Sequence, residues 1–125
     1  MLKRRIFLSY DTQHDERLRE FFAKLSQRPD APFEITGFST IPAGPARTWA
    51  LKTSQAIHGC EILVVLVGPH THKAAGVLQE VDIAQDEEIP ILQIIGYKDQ
   101  KFNPVPGAGR LFPWNWENVK QLFFM

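Results

Sequence analysis

Apolar residues come in short bursts along this chain, and the spacing inside each burst predicts the elements. Ile6-Phe7-Leu8 gives way to Ser9-Tyr10-Asp11, a strand running into a polar loop. Thr12 and Asp15 have the spacing of a capping box, so a helix is expected to begin here. Leu18, Phe21, Phe22 and Leu25 then fall at i, i+3, i+4 and i+7, one core-facing stripe with charged residues on the other faces. Arg28-Pro29-Asp30-Ala31-Pro32 ends that helix, because proline lacks an amide hydrogen and restricts the residue before it. Phe33-Glu34-Ile35 alternates and predicts a short, peripheral strand. Gly37 to Pro45, with two prolines and two glycines, reads as a loop able to reach over a site. A helix from Pro45 or Thr48 to His58 follows, with Gly59 as a left-handed stop.

Glu61-Ile62-Leu63-Val64-Val65-Leu66-Val67 is the most apolar run, rich in branched residues and closed by Gly68-Pro69. That is the pattern of a central parallel strand buried on both faces. Ala74, Val77, Leu78, Val81 and Ala84 form a second helical stripe between Ala74 and Glu88. Pro90 opens another apolar run, Ile91 to Ile95. Tyr97 to Pro113 is expected to be irregular apart from an extended Arg110-Leu111-Phe112, and a closing helix from about Asn115 to Phe124 would pack Trp116, Val119, Leu122 and Phe123. Strands alternating with helices predict an α/β fold: a single flavodoxin-like, three-layer sandwich with a parallel sheet of four to five strands and right-handed crossovers.

Composition narrows the setting. The chain has 125 residues, the usual size of one domain, so residues 1–125 are read as a single unit with neither internal repeats nor low-complexity tracts. One cysteine forms no internal disulfide and suits a reducing compartment, which favours the cytoplasm. Fourteen basic residues balance fourteen acidic ones, which lacks the basic excess of a nucleic-acid binder. The basic start at Lys3-Arg4-Arg5 is followed by too short an apolar run for a signal peptide, and no stretch has the roughly 18 apolar residues of a membrane span.

In open parallel sheets ligands bind beyond the carboxyl ends of the strands, so the loops after Leu8, Ile35, Val67 and Ile95 should carry function. They lack a GxGxxG fingerprint, a Walker lysine loop, a phosphoacceptor aspartate after the central strand and a Ser/Thr/Gly-rich flavin loop. What they hold is a polar set: Ser9, Tyr10, Asp11 and His14 after the first strand, His70, Thr71 and His72 after the central one, and Glu80 on the next helix. Glu80 lies at the margin of its apolar stripe, where a carboxylate can project into the crevice or sit half exposed. His70 and His72 lack the third and fourth ligands of a zinc site, so no metal is expected. Ser9 with His14, and Cys60 with His58, lack the third member of a nucleophilic triad, and Cys60 reads as core. Phe38 and Trp49 flank the long loop, placed either to stack on a flat ligand ring or to pack in the core.

Together Arg5-Ile6-Phe7-Leu8-Ser9-Tyr10-Asp11, Gly68-Pro69-His70-Thr71-His72, Glu80-Val81-Asp82-Ile83-Ala84 and Trp114-Asn115-Trp116-Glu117-Asn118-Val119-Lys120 resemble the bacterial TIR-like family, the group that includes the TIR-like component of Thoeris anti-phage defence. The likeness runs from about Lys3 to Phe124. It implies cleavage of the nicotinamide glycosidic bond of NAD, giving ADP-ribose or a cyclic ADP-ribose-type signal, with NAD as substrate and no further cofactor. It matches Glu80 to the family's catalytic glutamate. It implies that Ser9, Asp11, His70 and His72 hold ribose or phosphate oxygens, beside which Tyr10, Thr71, Phe38 and Trp49 are the further candidate substrate contacts, and that Thr36 to Thr48 is the loop that gates or assembles such domains. The Gly-Pro-His-Thr-His stretch departs from the serine-containing segment of many NAD-cleaving relatives. A nucleotide signal would reach a separate effector protein, so the expected partners are NAD, that effector and further copies of the chain, with no nucleic acid and no membrane. The alternatives are a non-catalytic module that self-associates and a nucleoside deoxyribosyltransferase-like enzyme, which shares the topology and uses a glutamate on a related bond.

Overall fold

The computed structural model describes residues 3–42 and 44–124. Five parallel strands, β1 (Arg4–Ser9), β2 (Phe33–Phe38), β3 (Ile62–Val67), β4 (Ile91–Ile95) and β5 (Leu111–Phe112), form one sheet in the order β2-β1-β3-β4-β5. Helices α1 (Glu16–Ser26), α2 (Ala46–His58), α3 (Ala75–Asp86) and α4 (Trp116–Leu122) cover its two faces. This is the predicted flavodoxin-like sandwich, with β3 at its centre.

The apolar run of β3 has a direct explanation in the two cores. Val64 and Leu66 join Ile6, Leu8 and Ile94 beneath Leu18, Phe22 and Leu25 of α1 and Val119 and Phe123 beside them. Leu63, Val65 and Val67 face the other way, with Phe7, against Ile57 of α2 and Val77, Val81 and Ala84 of α3. A strand buried on both faces has no position left for a polar residue. Gln93 is the exception on β4: its amide is fully buried and is spent on the segment that follows, accepting from Val105 N (2.7 Å) and donating to Gly109 O (2.8 Å) and Val105 O (3.2 Å). One side chain thereby holds much of the irregular stretch between β4 and β5.

Several local expectations are corrected. No helix begins at Thr12. Residues 12–14 form a turn in which Asp11 O accepts from His14 N (3.3 Å) and Asp15 N (2.9 Å), and Asp11 Oδ1 accepts from Gln13 N (3.0 Å). The Asp11 carbonyl thus takes the Asp15 amide that the Thr12 hydroxyl would have served, and the Asx turn delays α1 to Glu16. Phe21 is 42% exposed, because the stripe facing the sheet is Leu18-Phe22-Leu25; Phe21 lies beside it, edge-on to Trp114 at 5.4 Å. β2 extends through Phe38 and takes Gly37 from the predicted loop: the pairing slips between Ile6 and Phe7, and a Cβ on Gly37 would come within 2.9 Å of the Phe7 ring. Gly59 is right-handed (φ −81°), and α2 closes on it through Gly59 N to Gln55 O (3.2 Å). A left-handed stop is found instead after α3, on Glu88 (φ 56°), where Ile89 N returns to Ala84 O (2.8 Å).

Candidate functional site

The carboxyl ends of β1 and β2 and the N-terminal turns of α3 enclose a cleft of about 310 Å³, lined among others by Tyr10, Asp11, Gln13, Ser39, Lys73 and Glu80. Glu80 follows from helix geometry: it lies one turn past Gly76 and shares its side of α3 with Val77, Val81 and Ala84, which turn toward the sheet. Its side chain is fully buried. Ser9, the last residue of β1, donates to Glu80 Oε1 (2.7 Å), and Ser39, the first residue past β2, donates to the same oxygen (2.6 Å). Oε2 is buried and has no protein partner. Burial pushes the Glu80 carboxyl up to about 7, while the two serine hydroxyls pull in the opposite direction by favouring the ionised form. A carboxyl so placed changes charge near neutrality, the condition for useful acid–base or electrostatic work.

Around it the predicted residues divide. Tyr10 and Asp11 line the cleft. Tyr10 N donates to Ser39 Oγ (3.0 Å) and its phenol donates to Glu16 Oε2 (2.6 Å); burial and that carboxylate hold the phenol above its ordinary value. Asp11 is buried, and its Oδ2 accepts from His14 Nδ1 (2.6 Å). Phe38 is outside the cleft: it is 42% exposed, lies under the Arg19 guanidinium (4.7 Å) and lines a separate 520 Å³ groove between α1 and β2. Trp49 is buried, with its indole N–H donating to Thr40 O (3.2 Å), so it braces the loop that forms one wall.

After β3, His70, Thr71 and His72 also stand apart from the cleft lining, although Lys73 beside them belongs to it. His70 is exposed and lies against the His14 ring (4.3 Å between centroids). Thr71 is fully buried, its hydroxyl accepting from Gly68 N (2.7 Å) to close the turn. His72 is half-buried, with an unpartnered Nδ1. Beside this turn Asp15 is buried with Oδ1 taking the Tyr97 hydroxyl (2.6 Å), and burial lifts its carboxyl above the usual range. Neither suspected nucleophile pair forms: Ser9 serves Glu80 and His14 serves Asp11, while Cys60 is core with its thiol pushed up by burial and His58 Nδ1 meets Glu87 (3.0 Å). Among the described residues no three His, Cys, Asp or Glu side chains gather as metal ligands.

Sequence reasoning missed Ser39, Lys73, Gln13 and Gln79, all in the cleft lining. Ser39 was hidden because the strand before it was ended at Ile35; carried through Phe38, the alternation puts Ser39 at the strand end, level with Ser9 on the neighbouring strand.

Fold and site together define a flavodoxin-like domain with a carboxylate-floored cleft beyond its strand ends. The sequence model of the family described as "Thoeris protein ThsB, TIR-like domain" matches residues 7–101, well over half of the chain, and the chain belongs to that family. Its membership places it among the TIR-like signalling and defence proteins. No curated protein matches the sequence. Among solved structures it is similar to a 3-dehydroquinate dehydratase-like protein from Bifidobacterium longum, at 17% identity and a TM-score of 0.48, over 99% of this chain and 94% of that one. No helix of the described residues is long and apolar enough to cross a membrane.

Proposed function

We propose that this chain cleaves the bond between nicotinamide and ribose in NAD, with Glu80 as the catalytic carboxylate. The observation that carries the reading is a buried carboxylate on the floor of a strand-end cleft, held on one oxygen and free on the other. The cleft, at about 310 Å³, is at the lower end of small-molecule sites (roughly 300–1,000 Å³) and suits the nicotinamide riboside half of the substrate, with the remainder at its mouth. As the C1′–N bond breaks, its electron pair stays with nicotinamide, which leaves neutral, and the ribose carbon becomes cationic. An ionised carboxylate in a water-poor site stabilises that charge. Water then adds to C1′ and releases a proton to give ADP-ribose, or a nucleophile elsewhere on the ADP-ribose closes a ring. Lys73 and Gln13 at the cleft lining suit phosphate oxygens. The product, as a diffusible signal, would act on a separate effector protein.

The test is nucleotide analysis by mass spectrometry in phage-infected cells expressing the wild type or Glu80→Gln. ADP-ribose or a cyclic isomer from the wild type, reduced at least a hundredfold in the variant, is the expected result. Equal product from both removes Glu80 from the chemistry. A non-catalytic, self-associating module is favoured by one observation, the exposure of Ile41 (72%) and Leu51 (61%). Concentration-dependent assembly in sedimentation with no NAD binding by calorimetry would support that second reading.

A further inference from the structure

The geometry points to Ser9 and Ser39 as a positioning pair that assigns the two oxygens of Glu80 different tasks: Oε1 is tethered and Oε2 is the oxygen that meets the substrate. This rests on the reading of Glu80 as the acting carboxylate. β1 and β2 are neighbours in the sheet, so the residue ending one and the residue following the other reach the same point under α3. Their hydroxyls lie 2.7 and 2.6 Å from the same Oε1.

Ser39 is aimed by backbone groups. Its own N–H donates to Leu8 O (2.9 Å), extending the strand pairing past β2, and its Oγ receives Tyr10 N–H (3.0 Å). A hydroxyl has one proton to give, and Glu80 at 2.6 Å is nearer than Leu8 O at 3.4 Å. Two short donors on Oε1 leave little capacity there. Oε2 is buried without a partner, an arrangement that costs free energy until a ligand group supplies one. Ser39 also opens the loop that forms one wall of the cleft with Thr40 and Pro42. A ligand seated between that wall and α3 therefore bears on Ser39, and through its hydroxyl on the carboxylate. Neither serine needs to touch substrate; they act through Glu80.

Two readouts test the pair: a 13C-carboxyl NMR titration of Glu80 and the pH profile of NAD turnover, each in the wild type, Ser39→Ala, Ser9→Ala and Ser39→Thr. Hydrogen bonds to the ionised carboxylate favour it, so deleting one donor should raise the Glu80 midpoint by on the order of one pH unit. The ascending limb of kcat should move by the same amount, a loss of roughly tenfold below the midpoint with KM little changed. Ser39→Thr, which keeps the hydroxyl, should restore both. Ser9→Ala removes a donor independently if Ser39→Ala folds poorly. An unmoved midpoint in well-folded alanine variants overturns the proposal, as does a fall in kcat without a shifted limb. Shifted titrations in the serine variants, alongside a Glu80→Gln protein that turns over NAD at the parental rate, would overturn the catalytic reading and leave the tethering of Oε1 standing.

Discussion

A buried carboxyl that titrates near neutrality makes stability depend on pH with a definite sign. Burial lifts Glu80 from 4.5 to about 7. Between those values the folded chain holds a proton that the unfolded chain has released, so stability falls as pH rises. The contribution is complete below the unfolded value and is lost through the folded one, on the order of 3 kcal/mol in all. Glu80→Gln keeps an oxygen to accept from Ser9 and Ser39 and has no charge to bury. Urea denaturation should therefore show the variant gaining on the parent by on the order of 3 kcal/mol between pH 4.5 and pH 8, even as turnover is lost. A difference that does not change with pH would mean that the charge is hydrated. The opposition between stability and activity at one residue is expected where burial itself tunes the group.

At the scale of elements, segments with no regular structure are nevertheless tied down. Gln93 holds the stretch after β4 through Val105 and Gly109. Gln93→Leu leaves a buried N–H and carbonyls without partners, at a cost of roughly 2–4 kcal/mol. Hydrogen exchange should then quicken between residues 105 and 109 and little elsewhere. At the cleft itself, Trp49 ties one wall to α2 through Thr40 O (3.2 Å). Trp49→Phe keeps the ring buried and removes that bond. It should raise KM for NAD several-fold while lowering stability by about 1 kcal/mol, measurable by steady-state kinetics beside thermal melts. An unchanged KM would show that the wall is fixed by other contacts.

For the whole molecule the charge balance matters more than its total. With 14 basic and 14 acidic residues there is no net field to draw in an anionic dinucleotide from a distance. Attraction of the proposed substrate would then be local, and among the described residues lining the cleft Lys73 is the one cation. Lys73→Ala is expected to raise KM for NAD about fivefold, with kcat within twofold, and to flatten the dependence of KM on salt. A KM that is unchanged and still salt-sensitive would place the diphosphate elsewhere.

Periodicity alone determined the layered α/β architecture, the central place of β3 and, apart from Phe21, the stripes of α1 and α3, because burial on two faces or on one leaves a direct imprint on residue spacing. Local chemistry was less legible. The Thr12–Asp15 spacing fitted a capping box, yet the Asp11 carbonyl took the Asp15 amide from one residue earlier, and Gly37 looked like loop although it is part of a strand, packed close to Phe7. Glu80 stood out from sequence only as a carboxylate at the edge of an apolar stripe. Its full burial, its two serine donors and its free oxygen exist because β1, β2 and α3 meet at one point. Ser9, Ser39 and Glu80 are separated by 30 and 41 positions in the chain, and spacing along a sequence carries no information about such a meeting. The tertiary structure likewise parted Phe38, His70 and His72 from the cleft, since residues adjacent to a strand end can turn to either face of the sheet.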